Sequence, residues 1–522
     1  MKNSLIASVC VLLCRFTGMI RTVVFSSIFG PTSYLDIFYT AFRIPNLLRD
    51  LFAEGALSQS YTSVTTKVRK TEGDEAAWEL TNKVFTQLSA LMFILVTLGI
   101  IFSGPLMDIL CAGTPAASDI TFATDLCRIM WPFIFFASLA ALTMGTLNII
   151  GVFGLPMMGA AAFNIVTVVA GLLLGYLIDP SFGKNALYGF SMAVVLGGAA
   201  QWLIQLPKLR KRGYQWKFNT KWKDHRDYKI WGLMLPAVLA SGATQFNILI
   251  NNAFALELEK GSVTALTNAF QLWQLPVGLF GVATGMVVLP AVSRMMVDNG
   301  RSAVAEHIAK ALRAVAFFAV PSLVMLGILG EQCVSLIFQS GKFNAAAVQY
   351  TGNILEAYSI GLVGYAGTKV VQPVFLALEK RWVPLIIAVA SLVVSVSLNY
   401  LFVRVLHKDA SWLALTTSVI TTMNFFLYAL YLRSQLGGLR ARLLMPGLVK
   451  IMAAGGIFAL IAYMGREWFL TDFTSWGFFM RLSMFVLIAG VGIGAYLGTA
   501  WLLRIPELDT LKNEFLKKNR SK

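Results

Sequence analysis

Seven ionisable residues crowd the first two apolar stretches of the chain: Arg15 and Arg21 in one, Arg43 and Arg49 in the next, and beside them Asp36, Asp50 and Glu54. An arginine at the centre of a bilayer costs roughly 2.5–3.5 kcal/mol on insertion scales, so four on adjoining helices would cost on the order of 10 kcal/mol if they faced lipid. They must face water, counter-ions or a ligand. At about 1.5 Å of rise per residue, Arg21 and Arg43 lie roughly 10–12 Å inward from the outer ends of their helices, and Arg15 and Arg49 roughly 20 Å. The guanidinium groups therefore stand in two tiers. Four cations against three acids leave a surplus positive charge, which favours an anion. A planar guanidinium grips phosphate or carboxylate with two parallel hydrogen bonds, and a pyrophosphate in a low-dielectric cavity suits it. Structural ion pairs between the helices are the competing reading.

The elements that carry these residues follow from composition. The 522 residues are 57% apolar and 13% charged, with a mean hydropathy of +0.69; soluble domains carry about 25% charged residues. Disorder, collagen and disulfide scaffolds are excluded, and an all-α polytopic membrane protein is expected. Apolar runs bounded by charge, Gly or Pro give fourteen transmembrane helices, near 4–29, 36–66, 84–107, 122–150, 155–178, 186–206, 230–256, 263–291, 308–329, 348–378, 383–403, 411–432, 446–464 and 477–503. The net charge of +17 does not point to nucleic acid, because the cations sit in short loops. With the N-terminus inside, 30 cations fall on the cytoplasmic side and 7 outside, which puts both termini in the cytoplasm. The N-terminal run reads as the first span rather than a cleaved leader.

The chain also resembles itself. At a shift of 228, Leu98-Gly99-Ile100 meets Leu326-Gly327-Ile328, Gly113 meets Gly341 and Pro156 meets Pro384; at 231, Phe42-Arg43-Ile44-Pro45 meets Trp273-Gln274-Leu275-Pro276. Spans 1–6 (residues 1–207) and 7–12 (residues 230–433) thus read as two six-helix lobes, joined by a basic cytoplasmic loop at 208–229 and followed by a C-terminal helix pair and tail at 434–522. An even number of spans per copy makes the repeats parallel, related by a pseudo-two-fold along the membrane normal, a layout in which transporters place substrate between lobes.

Other polar positions are weaker signals. Ser241, Thr244, Gln245, Asn247, Asn251 and Asn252 in span 7 and Lys369 in span 10 could line a cavity or serve as interhelical hydrogen-bond groups. Asn399, Thr416 and Thr417 in spans 11 and 12 could hold sodium or be ordinary packing groups. Asp125 and Arg128 suit a local i,i+3 pair, and Gly490, Gly492, Gly494 and Gly498 suit close helix packing. The five cysteines form no CxxC, and the three histidines no HExxH. The acidic run Glu72, Asp74, Glu75, Glu79 reads as a solvated helix face. No catalytic residue or cofactor is expected, which counts against a membrane enzyme acting on polyprenyl phosphates.

The segment Arg43-Ile-Pro-Asn-Leu-Leu-Arg49-Asp-Leu-Phe-Ala-Glu54-Gly-Ala-Leu-Ser-Gln59, preceded by Arg15-x2-Gly18-x2-Arg21, Phe29-Gly30 and Asp36-x-Phe38, closely resembles the MurJ (MviN) family, lipid II flippases of bacterial peptidoglycan synthesis within the multidrug/oligosaccharidyl-lipid/polysaccharide (MOP) superfamily. Gln339-x-Gly341-Lys342-Phe343 and the span count extend the likeness along the chain. The resemblance implies two lobes around a cationic cavity, a C-terminal helix pair associated with a lipid-binding groove, alternating access and no chemical step. It implies substrate contacts at Arg15, Arg21, Asp36, Arg49, Glu54 and Lys369, with Asp36 a switchable partner of the arginines. Two departures stand out: Gln271 replaces an arginine common in span 8, and Thr22 replaces an acid that often follows the second arginine. Expected partners are the lipid-linked precursor, membrane lipids and cell-wall synthesis proteins in the inner membrane. Membrane potential or sodium would drive transport. Export of another polyprenyl-linked saccharide or of small molecules is the alternative; a cation exporter, however, should concentrate carboxylates.

Overall fold

The computed structural model describes residues 2–51, 58–114, 116, 119–219, 225–278, 288, 291–292, 294–295, 300–378, 380 and 382–508. Among them the regular structure is helical, with no strand. In chain order the helices are α1 (Lys2–Phe29), α2 (Ser33–Arg49), α3 (Ser58–Glu72), α4 (Asp74–Cys111), α5 (Ile120–Met130), α6 (Pro132–Ile149), α7 (Gly154–Met157), α8 (Gly159–Ile178), α9 (Ala186–Leu203), α10 (Leu206–Lys211), α11 (His225–Leu256) and α12 (Ser262–Pro276). There follow α13 (Gly300–Ile328), α14 (Gly330–Phe338), α15 (Ala345–Ser359), α16 (Leu362–Val371), α17 (Val374–Ala377), α18 (Trp382–Tyr400), α19 (Ala410–Leu436), α20 (Ala441–Phe469) and α21 (Phe478–Leu502).

Among the described residues, ten helical stretches are long and apolar enough to cross a membrane. The expected spans that miss this measure are the second, seventh, eighth and tenth. The second is described as far as Leu51 and again from Ser58, several apolar side chains of the seventh and the later part of the eighth lie outside the description, and the tenth breaks at Ile360-Gly361. Several helices also begin before their apolar runs, because a hydrogen-bonded ladder does not stop at the edge of the hydrocarbon. Lys83 and Arg313, expected in cytoplasmic loops, are instead buried within α4 and α13.

The chain divides into two compact units, Met1–Thr264 and Ala265–Lys522. The division falls after the seventh span, not in the 208–229 loop where the sequence puts the lobe boundary, because α11 packs on α2, α3 and α4. Trp231 donates to Gln87 at 2.7 Å and Arg226 pairs with Glu72 at 2.8 Å. The basic loop itself is strapped to α4. The Tyr214 hydroxyl donates to Asn82 Oδ1 at 2.7 Å, the Lys217 amide to the same oxygen at 3.2 Å, and the Asn219 amide to Thr86 at 3.3 Å. Burial pushes the Tyr214 hydroxyl above the ordinary phenol range, so it remains a neutral donor.

The internal repeat has structural counterparts. Gly113 and Gly341 both take positive φ, 72° and 56°, as do Gly30 and Gly261, 67° and 93°; a side chain would be strained at all four. A Cβ on Gly99 would lie 2.2 Å from Trp131, and one on Gly327 2.7 Å from Ser359. Trp131 and Ser359 are themselves 228 apart, and each stands where its span breaks into two helices.

In the second unit, α20 and α21 pack on α13 through Phe317, Val320, Ile451, Phe458 and Tyr496. The Tyr496 hydroxyl donates to the Phe317 carbonyl at 2.7 Å. Arg313 reaches Glu507, just beyond α21, at 2.8 Å and 3.0 Å, and Lys450 donates to the Leu503 carbonyl at 2.9 Å. Of the glycine cluster in α21, Gly492 bears on packing: a Cβ there would lie 2.3 Å from the Phe458 ring, whereas Gly490, Gly494 and Gly498 face open space. Overpacking of this kind costs about 1–3 kcal/mol. Gly492→Val is expected to lower the melting temperature in detergent clearly, and Gly490→Ala to leave it unchanged; equal shifts would remove the packing role from Gly492.

Candidate anion-binding site

The site is built on α1 and α2 in the first unit. Cys14 donates to the Met157 carbonyl at 2.9 Å, and Asn164 on α8 donates to the Cys14 carbonyl at 3.4 Å and Thr17 Oγ1 at 3.3 Å. This fastens α1 to α8. One turn beyond, the Arg21 guanidinium lies over the Phe163 ring, 5.3 Å from its centroid. Arg21 meets no carboxylate among the described residues, and it stands near enough to Arg49 for the two charges to repel. Arg49, at the end of α2, presents Nε and Nη2 to one oxygen of Asp50, at 3.1 Å and 2.7 Å, and its guanidinium carbon lies 5.9 Å from the Phe133 ring. Phe133 packs against Phe163 at 5.2 Å and Phe42 at 5.4 Å. Arg15 and Arg43 are half-buried on α1 and α2. Glu54 lies outside the described residues, and so do the side chains of Ser241 and Thr244.

Asp36 is engaged elsewhere than the expected role suggests. In this structure its carboxylate is buried against the start of α12, accepting from the Gly261 amide at 2.6 Å, the Thr264 amide at 2.8 Å and Thr264 Oγ1 at 2.7 Å. It therefore caps a helix far along the chain, where the first amides lack intrahelical partners and the helix dipole favours an anion. One turn on, Thr40 accepts from Asn252 of span 7 at 2.9 Å, so that asparagine works as an interhelical tie.

In the second unit Lys369 on α16 lies over the ring of Tyr365, 4.7 Å from the centroid. Tyr365 stacks on Trp273 at 4.7 Å with 25° between planes, and Trp273 on Tyr358 at 5.6 Å. Gln271 is half-buried on α12, two residues before Trp273. Asn399 and Thr416 are fully buried on the packed helices α18 and α19. The Thr416 and Thr417 hydroxyls donate to their own helix at 3.1 Å each. No cluster of three or more His, Cys, Asp or Glu that could hold a metal occurs among the described residues. Asp125 and Arg128 form the expected local pair at 3.8 Å. A cleft of about 740 Å³ on this unit, lined by Leu323, Ile328, Asn353, Glu356 and Ser411 among others, includes none of the candidate residues.

Two features of the site escape sequence reasoning. The aromatic rings under the cations carry no motif, since phenylalanines are common throughout the apolar spans. The Asp36 cap joins residues more than two hundred positions apart, beyond the reach of any spacing rule; only the positive-φ Gly261 before Ser262 marks a helix start.

The family model described as lipid II flippase MurJ matches residues 25–484. The chain belongs to the MurJ family. That match begins just after Arg21, and the likeness of the whole chain reaches further. It is 29% identical over 517 residues to the "Probable lipid II flippase MurJ" of Vibrio cholerae, covering 97% of this chain and 96% of that one. It is 32% identical over 429 residues to the lipid II flippase MurJ of Burkholderia cenocepacia, covering 81% and 82%. A solved structure of a MurJ lipid II flippase in an inward closed conformation superposes with a TM-score of 0.78 at 24% identity, covering 96% of this chain and 99% of that one. An inward-facing multidrug MATE transporter of the MOP superfamily gives 0.67 at 16%, covering 82% and 95%, so the fold is shared across the superfamily. With its apolar helices, this MurJ family chain is a multi-pass membrane protein.

Proposed function

We propose that this chain moves lipid II, the undecaprenyl-pyrophosphate-linked peptidoglycan precursor, from the cytoplasmic to the outer leaflet of the bacterial inner membrane by alternating access between two six-helix lobes. The observation that carries the reading is the four arginines on α1 and α2 in a chain that matches lipid II flippases over nearly its whole length. Arg15, Arg21 and Arg49 hold the pyrophosphate, with Glu54, Gln271 and Lys369 completing the contacts. Asp36 acts on the moving parts through α12, releasing or regaining that helix start as access alternates. No bond is made or broken, so the chain works as a transporter and not as an enzyme. Both termini lie in the cytoplasm, as the cation imbalance requires.

Membrane potential or sodium coupling would drive the cycle. A membrane potential works on net cationic charge at roughly 2.3 kcal/mol per charge per 100 mV, and sodium would sit at buried Asn399 and Thr416 and half-buried Thr417, oxygen-bearing residues on neighbouring helices. The MATE-like fold leaves drug export as a second reading, but a cation exporter needs carboxylates in excess, and the α1–α2 charges run the other way. The test is rescue of a strain depleted of its own lipid II flippase. With this gene, growth and outer-leaflet precursor are expected to return; growth without outer-leaflet precursor, or no rescue by well-expressed protein, would overturn the reading.

A further inference from the structure

Three cations of the site, Arg21, Arg49 and Lys369, are seated on aromatic faces, and the construction occurs in both internal repeats. In the first unit Arg21 lies over Phe163 and Arg49 over Phe133, the two rings packing on each other and on Phe42. In the second, Lys369 lies over Tyr365, which stacks on Trp273. Phe42 and Trp273 are repeat counterparts at the shift of 231. The rings in the first unit have space made for them: a Cβ on Gly197 would lie 2.9 Å from Phe163, and one on Gly198 2.8 Å from Phe133.

The chemistry distinguishes a ring from a carboxylate. A cation withdrawn from water needs a partner, or it neutralises or unfolds its surroundings. A carboxylate would stabilise it but cancel its charge. An aromatic face stabilises it through the ring quadrupole, which carries no net charge. A cation so held keeps its full attraction for an anion arriving on its other side. We propose that Phe163 and Tyr365 are positioning residues that keep Arg21 and Lys369, which meet no carboxylate among the described residues, charged and partly desolvated, ready for the substrate pyrophosphate. The inference rests on the lipid II reading above and deepens it, naming what makes the site selective for a charged headgroup.

The experiment measures binding of undecaprenyl pyrophosphate to the purified full-length protein in detergent by native mass spectrometry. Phe163→Leu and Tyr365→Leu are each expected to weaken binding about 2- to 30-fold, and Tyr365→Phe to restore most of what Tyr365→Leu loses. Because a leucine could also disturb packing, phenylalanines carrying one, two and three fluorines are introduced at 163 and at 365. Fluorine drains the ring face while barely changing its size, so affinity should fall stepwise with fluorine count at constant melting temperature. A flat fluorine series in a protein whose wild type binds would overturn the positioning role while leaving the lipid II reading intact. Failure of the wild type to bind undecaprenyl pyrophosphate at all would overturn that reading, and this inference with it.

Discussion

Arg21→Ala lowers affinity for the lipid-linked pyrophosphate about 10- to 150-fold and abolishes rescue of flippase-depleted cells, while the amount of protein in the membrane stays at the wild-type level. The magnitude follows from loss of a charge-assisted hydrogen bond contributing about 1.5–3 kcal/mol. The separation of binding from stability follows from the structure: Arg21 rests on Phe163 and meets no carboxylate among the described residues, so its removal strands no buried negative charge. Arg49→Ala differs. It leaves Asp50 without the guanidinium that now holds it at 2.7 Å, and both stability and binding fall. Arg21→Lys recovers only part of the affinity, since an ammonium cannot present a planar fork. Precursor binding in detergent beside a membrane-fraction immunoblot checks this; disappearance of Arg21→Ala protein from the membrane would return Arg21 to a structural role.

The second large effect concerns the C-terminal helix pair. Arg313 and Glu507 are nearly buried, with side-chain exposures of 9% and 13%. Removing one partner of such a pair leaves an uncompensated charge at a cost of about 3–5 kcal/mol. Arg313→Ala is therefore expected to destabilise the protein by that amount and to loosen α20 and α21 from α13. The double variant Arg313→Met, Glu507→Leu should regain most of the loss, because replacing a buried pair by well-packed apolar groups is often neutral. A double-mutant cycle of thermal melts in detergent measures the coupling; additive single losses would mean that the two side chains act independently.

The long apolar helices are the most legible part of the chain. Of the four expected spans without such a helix, the second, seventh and eighth lie partly outside the described residues, whereas the tenth is described throughout and breaks between α15 and α16. Ile360-Gly361 carries no proline or charge, and the break shows in sequence only as the counterpart of Trp131 in the other repeat. Charge type singles out the arginines of the first two spans, because the cost of placing a side chain in a membrane depends on its charge. The seating of those arginines was illegible, since a ring under a guanidinium comes from a different helix. Asp36 was legible as a buried acid, but its partners at Gly261 and Thr264 were not.

The contact between Arg49 and Asp50 sets a threshold of valence. Two of the guanidinium nitrogens already face a carboxylate oxygen of the adjacent residue, so an incoming headgroup gains that edge only by outcompeting a unit negative charge held next door in sequence. A phosphodiester, the headgroup linkage of ordinary bilayer lipids, brings one negative charge and gains little from the exchange. On the proposed site, a pyrophosphate would bring more than one, with additional acceptor oxygens, and would compete for that edge better than a single charge. In a membrane where bulk phospholipid vastly outnumbers any biosynthetic intermediate, this neighbouring carboxylate would then keep abundance alone from being sufficient for entry.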